Sequence, residues 1–76
     1  MNKKEKAFLG TALYENALRY LRADADMKNN KSKQNRIMAN AAKIAFEEAE
    51  YISKHLGIDI KSIKEKAQED FELQKG

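Results

Sequence analysis

Ile52-Ser53-Lys54-His55-Leu56-Gly57-Ile58-Asp59 is the stretch that decides the fold, because it ends one amphipathic helix on a glycine and opens another on an aspartate. Gly57 stands where a left-handed C′ residue is needed, and Ile58 follows where a Schellman motif turns the chain back onto the helix. Asp59 suits the N-cap of the next helix, with Ile58 and Ile63 at the N′ and N4 positions of a hydrophobic staple. The stretch predicts a helix-turn-helix corner.

Working back from the corner, the preceding helix is expected over about residues 34–56. It carries Ile37, Met38, Ala41, Ala42, Ile44, Ala45, Phe46, Ala49, Ile52 and Leu56 over an arc wider than half its circumference. Ala41, Ala45 and Ala49 follow i, i+4, i+8 spacing, a row of small side chains that lets a partner backbone approach closely. One neighbouring helix cannot cover so wide an arc.

A first helix is expected over about residues 3–23, with Leu9, Leu13, Ala17, Tyr20 and Leu21 on one face and Gly10, Tyr14 and Leu18 widening it. Gly10 costs about 1 kcal/mol relative to alanine inside a helix, so it reads as a close backbone approach rather than a break. Residues 24–33 lack apolar periodicity, and Asn29, Asn30 and Ser32 compete for backbone hydrogen bonds. A loop is expected there, with Met27 turned inward and Ser32 or Asn30 capping the next helix. Beyond the corner, Ile60, Ile63, Ala67 and Phe71 predict a third helix over about residues 59–73, fraying after Leu73.

The chain has 76 residues, no proline, three glycines and no cysteine. One small domain is expected, all-α in class: an antiparallel helical hairpin with a third helix packed across it. So short a chain buries only about 60% of its unfolded surface, and no disulfide or thiolate metal site supplements its core. Tight helix packing or self-association must do so instead. A homodimer is expected, built on the wide faces of the first two helices, with Leu9, Leu13, Ala17, Ala41, Ala45, Ala49 and Ile52 as core or self-association residues. No run approaches the roughly 18 apolar residues of a membrane span, and Met1-Asn2-Lys3-Lys4 leads into a polar helix. A cytoplasmic protein without a membrane partner is expected.

Net charge is +3, unevenly placed: residues 1–43 carry ten Lys/Arg against four Asp/Glu, and residues 44–76 carry five against eight. The two parts are therefore +6 and −3. Such polarity either draws nucleic acid to one end or pairs the halves, within a monomer or across a dimer. In a hairpin, Arg19, Arg22, Lys28, Lys31, Lys33 and Arg36 gather at the loop end, opposed by Asp24 and Asp26. Cations near a helix N-terminus work against the dipole by about 0.3–1 kcal/mol each, so helix propensity does not explain them. They are candidate contacts for phosphate or an acidic protein.

Signals for catalysis are sparse. His55 is the single histidine, and Ser53 lies on a different side of its helix, while Glu48 shares the face but sits about 10 Å away along the axis. A solvent-edge histidine, favoured by the helix dipole, is the expectation. Glu47-x-x-Glu50 and Glu69-x-x-Glu72 faintly resemble the magnesium-binding pattern of the all-α nucleoside triphosphate pyrophosphatases, although that family's second pair normally ends in aspartate. Periodicity assigns these glutamates to solvent. Glycines at positions 10, 57 and 76 make no phosphate-binding loop. No catalytic residue, cofactor, metal or small-molecule substrate is expected.

Residues 52–67 resemble the central part of a helix-turn-helix DNA-binding motif, with Ile52, Leu56, Gly57, Ile58 and Ile63 at its inward and turn positions and Ser62 at a position often serine or threonine. That resemblance implies Lys61 and Lys64, with Ile60 and Glu65, facing the DNA groove. Ser53 stands where the motif usually has alanine, and Lys66 where it has a core apolar residue. Two functions therefore stay open. One is a small non-enzymatic module that binds protein partners as a regulator, inhibitor or adaptor, of bacterial or mobile-element character by its Lys/Asn/Ile-rich composition. The other is a DNA-binding transcriptional regulator using residues 52–67.

Overall fold

A computed structural model describes residues 2–75; Met1, part of the polar start, and Gly76, at the expected frayed end, lie outside the described residues. The described residues form three helices: α1 (Lys3–Asn29), α2 (Lys33–His55) and α3 (Ile60–Lys75). The body measures 42 × 25 × 16 Å. α1 is the central element, packing against both α2 and α3, whereas α2 and α3 scarcely touch. This is an all-α small helical bundle.

α1 begins on Asn2, whose side chain accepts from the Glu5 amide at 2.8 Å while its own amide group donates to the Glu5 carboxylate. It continues to Asn29 rather than ending near Ala23, so the expected loop of residues 24–33 shrinks to Asn30, Lys31 and Ser32. Two things carry the helix onward. Lys28 pairs with Asp24 one turn earlier at 3.0 Å, and Ala23, Ala25 and Met27 remain half-buried. The short turn is closed by Asn35, whose side-chain amide donates to the carbonyls of Asn30 at 2.8 Å and Asp26 at 3.3 Å. The Asp26 carbonyl also accepts from the Asn30 amide at 2.9 Å, so Asn35 adds a second bond there and satisfies the Asn30 carbonyl beyond the helix end. Of the two candidate caps, Ser32 serves α2, accepting from the Asn35 amide at 3.1 Å.

The α2–α3 corner forms as its residues require. Gly57 has φ +74°, the Ile58 amide donates to the Ser53 carbonyl at 3.1 Å, and the Gly57 amide donates to the Lys54 carbonyl at 3.4 Å. These are the two bonds of a Schellman motif. Asp59 then caps α3, its carboxylate accepting from the Ser62 amide at 3.1 Å. α3 persists to Lys75, past the expected end at Leu73.

The core is compact. Leu13 and Ala67 are wholly buried, Ala17 and Phe46 nearly so, and Tyr14, Tyr20, Leu21, Ala49, Ile60 and Ile63 pack around them. Tyr20 of α1 stacks on Phe46 of α2 with ring centroids 5.9 Å apart. Ala67 presents only a methyl group, which lets α3 lie close against α1. The expectation of a close backbone approach at Gly10 is corrected: a Cβ there would meet only Ile63 Cδ1, at an ordinary 3.6 Å.

Candidate protein-interaction face

Which side of α2 enters the core is the decisive feature. Its buried residues are Ala39, Ala42, Phe46 and Ser53, with Ala49 half-buried on the same row. Their alternating three- and four-residue spacing is that of a helix laid nearly antiparallel on one neighbour, and small side chains at most of these positions bring the backbones together. The row of Ala41, Ala45 and Ala49 expected to serve close approach is therefore displaced around the helix: Ala49 meets the core, Ala45 is half-buried and Ala41 is exposed.

Among the described residues, no element covers the rest of the apolar arc of α2. Ile37 is 57% exposed, Ile44 61% and Tyr51 67%, and Met38, Ile52 and Leu56 are exposed as well. At about 100° per residue these side chains and Ala41 fall within an arc of about 140°, centred roughly 120° round the helix from the buried row. Scattered exposed apolar residues are ordinary, but a continuous strip along a whole helix is the signature of a contact surface. Glu48 lies inside the strip and Glu47 beside it; together with Ile44, Tyr51 and Ile52 they line a shallow hollow of about 540 Å³. Tyr51 and His55 meet edge to face at 4.5 Å, so the imidazole's neighbour is an aromatic ring.

Around this face the other candidate residues disperse. Leu13 and Ala17 are core, Leu9 is half-buried and Ile52 belongs to the open strip. At the loop end Lys28 is engaged by Asp24, which raises the lysine pKa, and Arg22 bonds Gln74 of α3. Arg19, Lys31, Lys33 and Arg36 are exposed. On α3, Lys61 is exposed, whereas Lys64 reaches Glu50 of α2 at 3.1 Å and lies 5.6 Å above the Phe46 ring. Its ammonium is thus drawn toward α2. Glu50, from the first acidic pair, is occupied by that lysine, and Glu72, from the second, accepts from Gln68 at 2.8 Å. Among the described residues no group of three or more His, Asp or Glu is placed to hold a metal ion, and no helix is long and apolar enough to cross a membrane.

Sequence reasoning missed three fastenings. Asn35 ties the α1–α2 turn, Ser53 is buried where α2 approaches the core, and Tyr14 bonds Asp70 between α1 and α3 at 2.5 Å. Polar residues at core-facing positions of a helical pattern were the only available signal for Tyr14 and Ser53. Searches against protein-family models, curated proteins and solved structures give no match to this chain.

Proposed function

We propose that the protein is a non-enzymatic protein-binding module whose working surface is the outer face of α2, acting on its partners as a regulator, inhibitor or adaptor. One observation carries this reading: the exposed strip of Ile37, Met38, Ile44, Tyr51, Ile52 and Leu56 on a helix that already buries a separate row of residues in the core. Burying apolar surface is worth about 25 cal/mol per Å², so an open strip of this length offers a partner a large gain. Charged residues interrupt it only at Glu48, which supplies orientation rather than solubility. The homodimer expected on the faces of the first two helices would have to use this part of α2, because Leu13, Ala17 and Ala49 lie in or against the core.

A photoreactive benzophenone amino acid placed at position 44 tests the reading in producing cells, with position 15 on exposed α1 surface as reference. Discrete protein adducts at 44 and not at 15 are expected. Equal, diffuse labelling at both positions would overturn the assignment of the face.

A second reading, DNA binding through residues 52–67, draws support from the formed Gly57 corner and the Asp59-capped α3. It relies on Lys61, Lys64 and the loop-end cations.

A further inference from the structure

The proposed interaction surface leaves its occupant open, and charge placement along α2 narrows it. Residues 31–43 contain Lys31, Lys33, Arg36 and Lys43 and no acid; residues 44–56 contain Glu47, Glu48 and Glu50 against Lys54, and Glu50 is already paired with Lys64. The exposed strip runs through both segments, from Ile37 to Leu56, a length of about 28 Å at 1.5 Å per residue. Any partner helix lying along it needs an apolar stripe of the same length, with acid opposite the first half and base opposite the second. α2 itself, reversed, meets each of these requirements.

We infer that a second copy of this chain covers the outer face of α2, in an antiparallel two-fold pairing of α2 with its symmetry mate centred near Ile44. This inference rests on the protein-binding reading of that face and specifies the partner. A two-fold axis makes a patch its own complement, so residue 37 of one copy meets the neighbourhood of residue 51 of the other, and Ile44 meets Ile44. Arg36 and Lys43 then lie over the segment that carries Glu47 and Glu48, while Lys54 falls at its outer end near the partner's Gln34. A parallel pairing would set Glu48 against Glu48 inside an apolar seam and stack cationic half on cationic half, which like-charge repulsion and desolvation both oppose. Ala41 and Ala45, beside the axis, leave room for the helices to approach at about the usual 8–10 Å spacing.

Two strips of this length bury on the order of 1,000 Å² in all, the lower edge of specific interfaces. A dimer dissociating in the micromolar range is therefore expected, weakened by salt because part of its attraction is between exposed charges.

The chain has no cysteine, so introduced thiols report the pairing without background. Light scattering across a dilution series from about 1 to 500 μM, at low and high salt, should show the mass falling from dimer to monomer, with the Ile44→Glu variant monomeric throughout and its circular dichroism unchanged. Under mild oxidation Ile44→Cys should link to itself. Ile37→Cys alone should not, and a mixture of Ile37→Cys with Tyr51→Cys should give the mixed disulfide, within the Cα separation of about 4.4–6.8 Å that a disulfide tolerates. Self-linking of Ile37→Cys and of Tyr51→Cys would overturn the antiparallel arrangement. A dimer that survives Ile44→Glu would overturn the face. A monomer at every concentration overturns the second copy as occupant, and the benzophenone result at position 44 then separates the two ideas: adducts there reject this inference alone, whereas their absence rejects the protein-binding reading with it.

Discussion

The Tyr14 hydroxyl donates to Oδ2 of Asp70 at 2.5 Å, while Lys66 lies 3.4 Å from the other carboxylate oxygen, so one α3 side chain is held by α1 and by its own helix at once. The Tyr14 hydrogen bond, joined by that of Lys66, holds the Asp70 carboxyl below the usual carboxylate value, and the same bond lifts the Tyr14 phenol above its own. It fastens α3 to α1 beside the Ala67 contact, as the Arg22–Gln74 bond does nearer the helix ends.

A pH dependence follows from the sign of these shifts. Asp70 is more acidic folded than unfolded, so its contribution is complete above the unfolded value near 3.9 and is lost as pH falls through the depressed folded value. Tyr14 is less acidic folded, so its share is complete below about 10 and fades as pH rises through the raised folded value. Thermal melting of Tyr14→Phe should show a lower Tm at neutral pH. The gap from the parent should begin to narrow below about pH 4 and close only as pH falls through the depressed folded value of Asp70; an unchanged gap would remove the hydrogen bond as its cause.

Gly57→Ala should destabilise by about 1–2 kcal/mol, the cost of placing an L-residue in the left-handed region. With φ +74° and no atom within 4 Å of where the alanine methyl group would sit, backbone strain is the whole penalty. Urea unfolding measures it, and a neutral result would mean that the corner relaxes.

Gly10→Ala should act in the opposite direction, stabilising by about 0.5–1 kcal/mol, because a mid-helix glycine gives up backbone entropy and the added methyl group meets only Ile63 at 3.6 Å. A loss of stability in the same urea assay would show that the α1–α3 contact has no room to adjust.

Leu13→Ala and Ile44→Ala separate the two hydrophobic surfaces. Leu13 is wholly buried and its truncation should cost about 2–5 kcal/mol, a large part of the stability of so small a domain. Ile44, mostly exposed, should change the unfolding free energy of the dilute protein by no more than about 0.5 kcal/mol.

Lys61→Glu tests the DNA reading. If α3 meets DNA, affinity should fall together with the salt slope, the expected mark of losing a phosphate contact. Lys64→Glu is a poorer probe, since it also breaks the bridge to Glu50. Duplex binding indifferent to Lys61→Glu and to salt would remove that reading.

Local punctuation is legible in the order of residues alone: a helix ending at Gly57, a cap at Asp59, a cap at Ser32, and helical segments between them. Those features rest on hydrogen bonds spanning a few residues, so the information lies within the same few residues. The persistence of α1 through Asn29 was less legible, because Asp24–Lys28 pairing and the half-burial of Met27 replace apolar periodicity there. The inward side of α2, by contrast, was settled by assembly of the three helices. Both sides are apolar at helical spacing, and hydrophobicity alone favours burying Ile37, Ile44 and Ile52. The packed body of α1, with Leu13, Tyr20 and Leu21 already against the core, instead accepts Phe46 and the small Ala39, Ala42 and Ser53. Close packing of volumes, rather than the strength of each hydrophobic residue, selected the inner face, and it left the isoleucines outside.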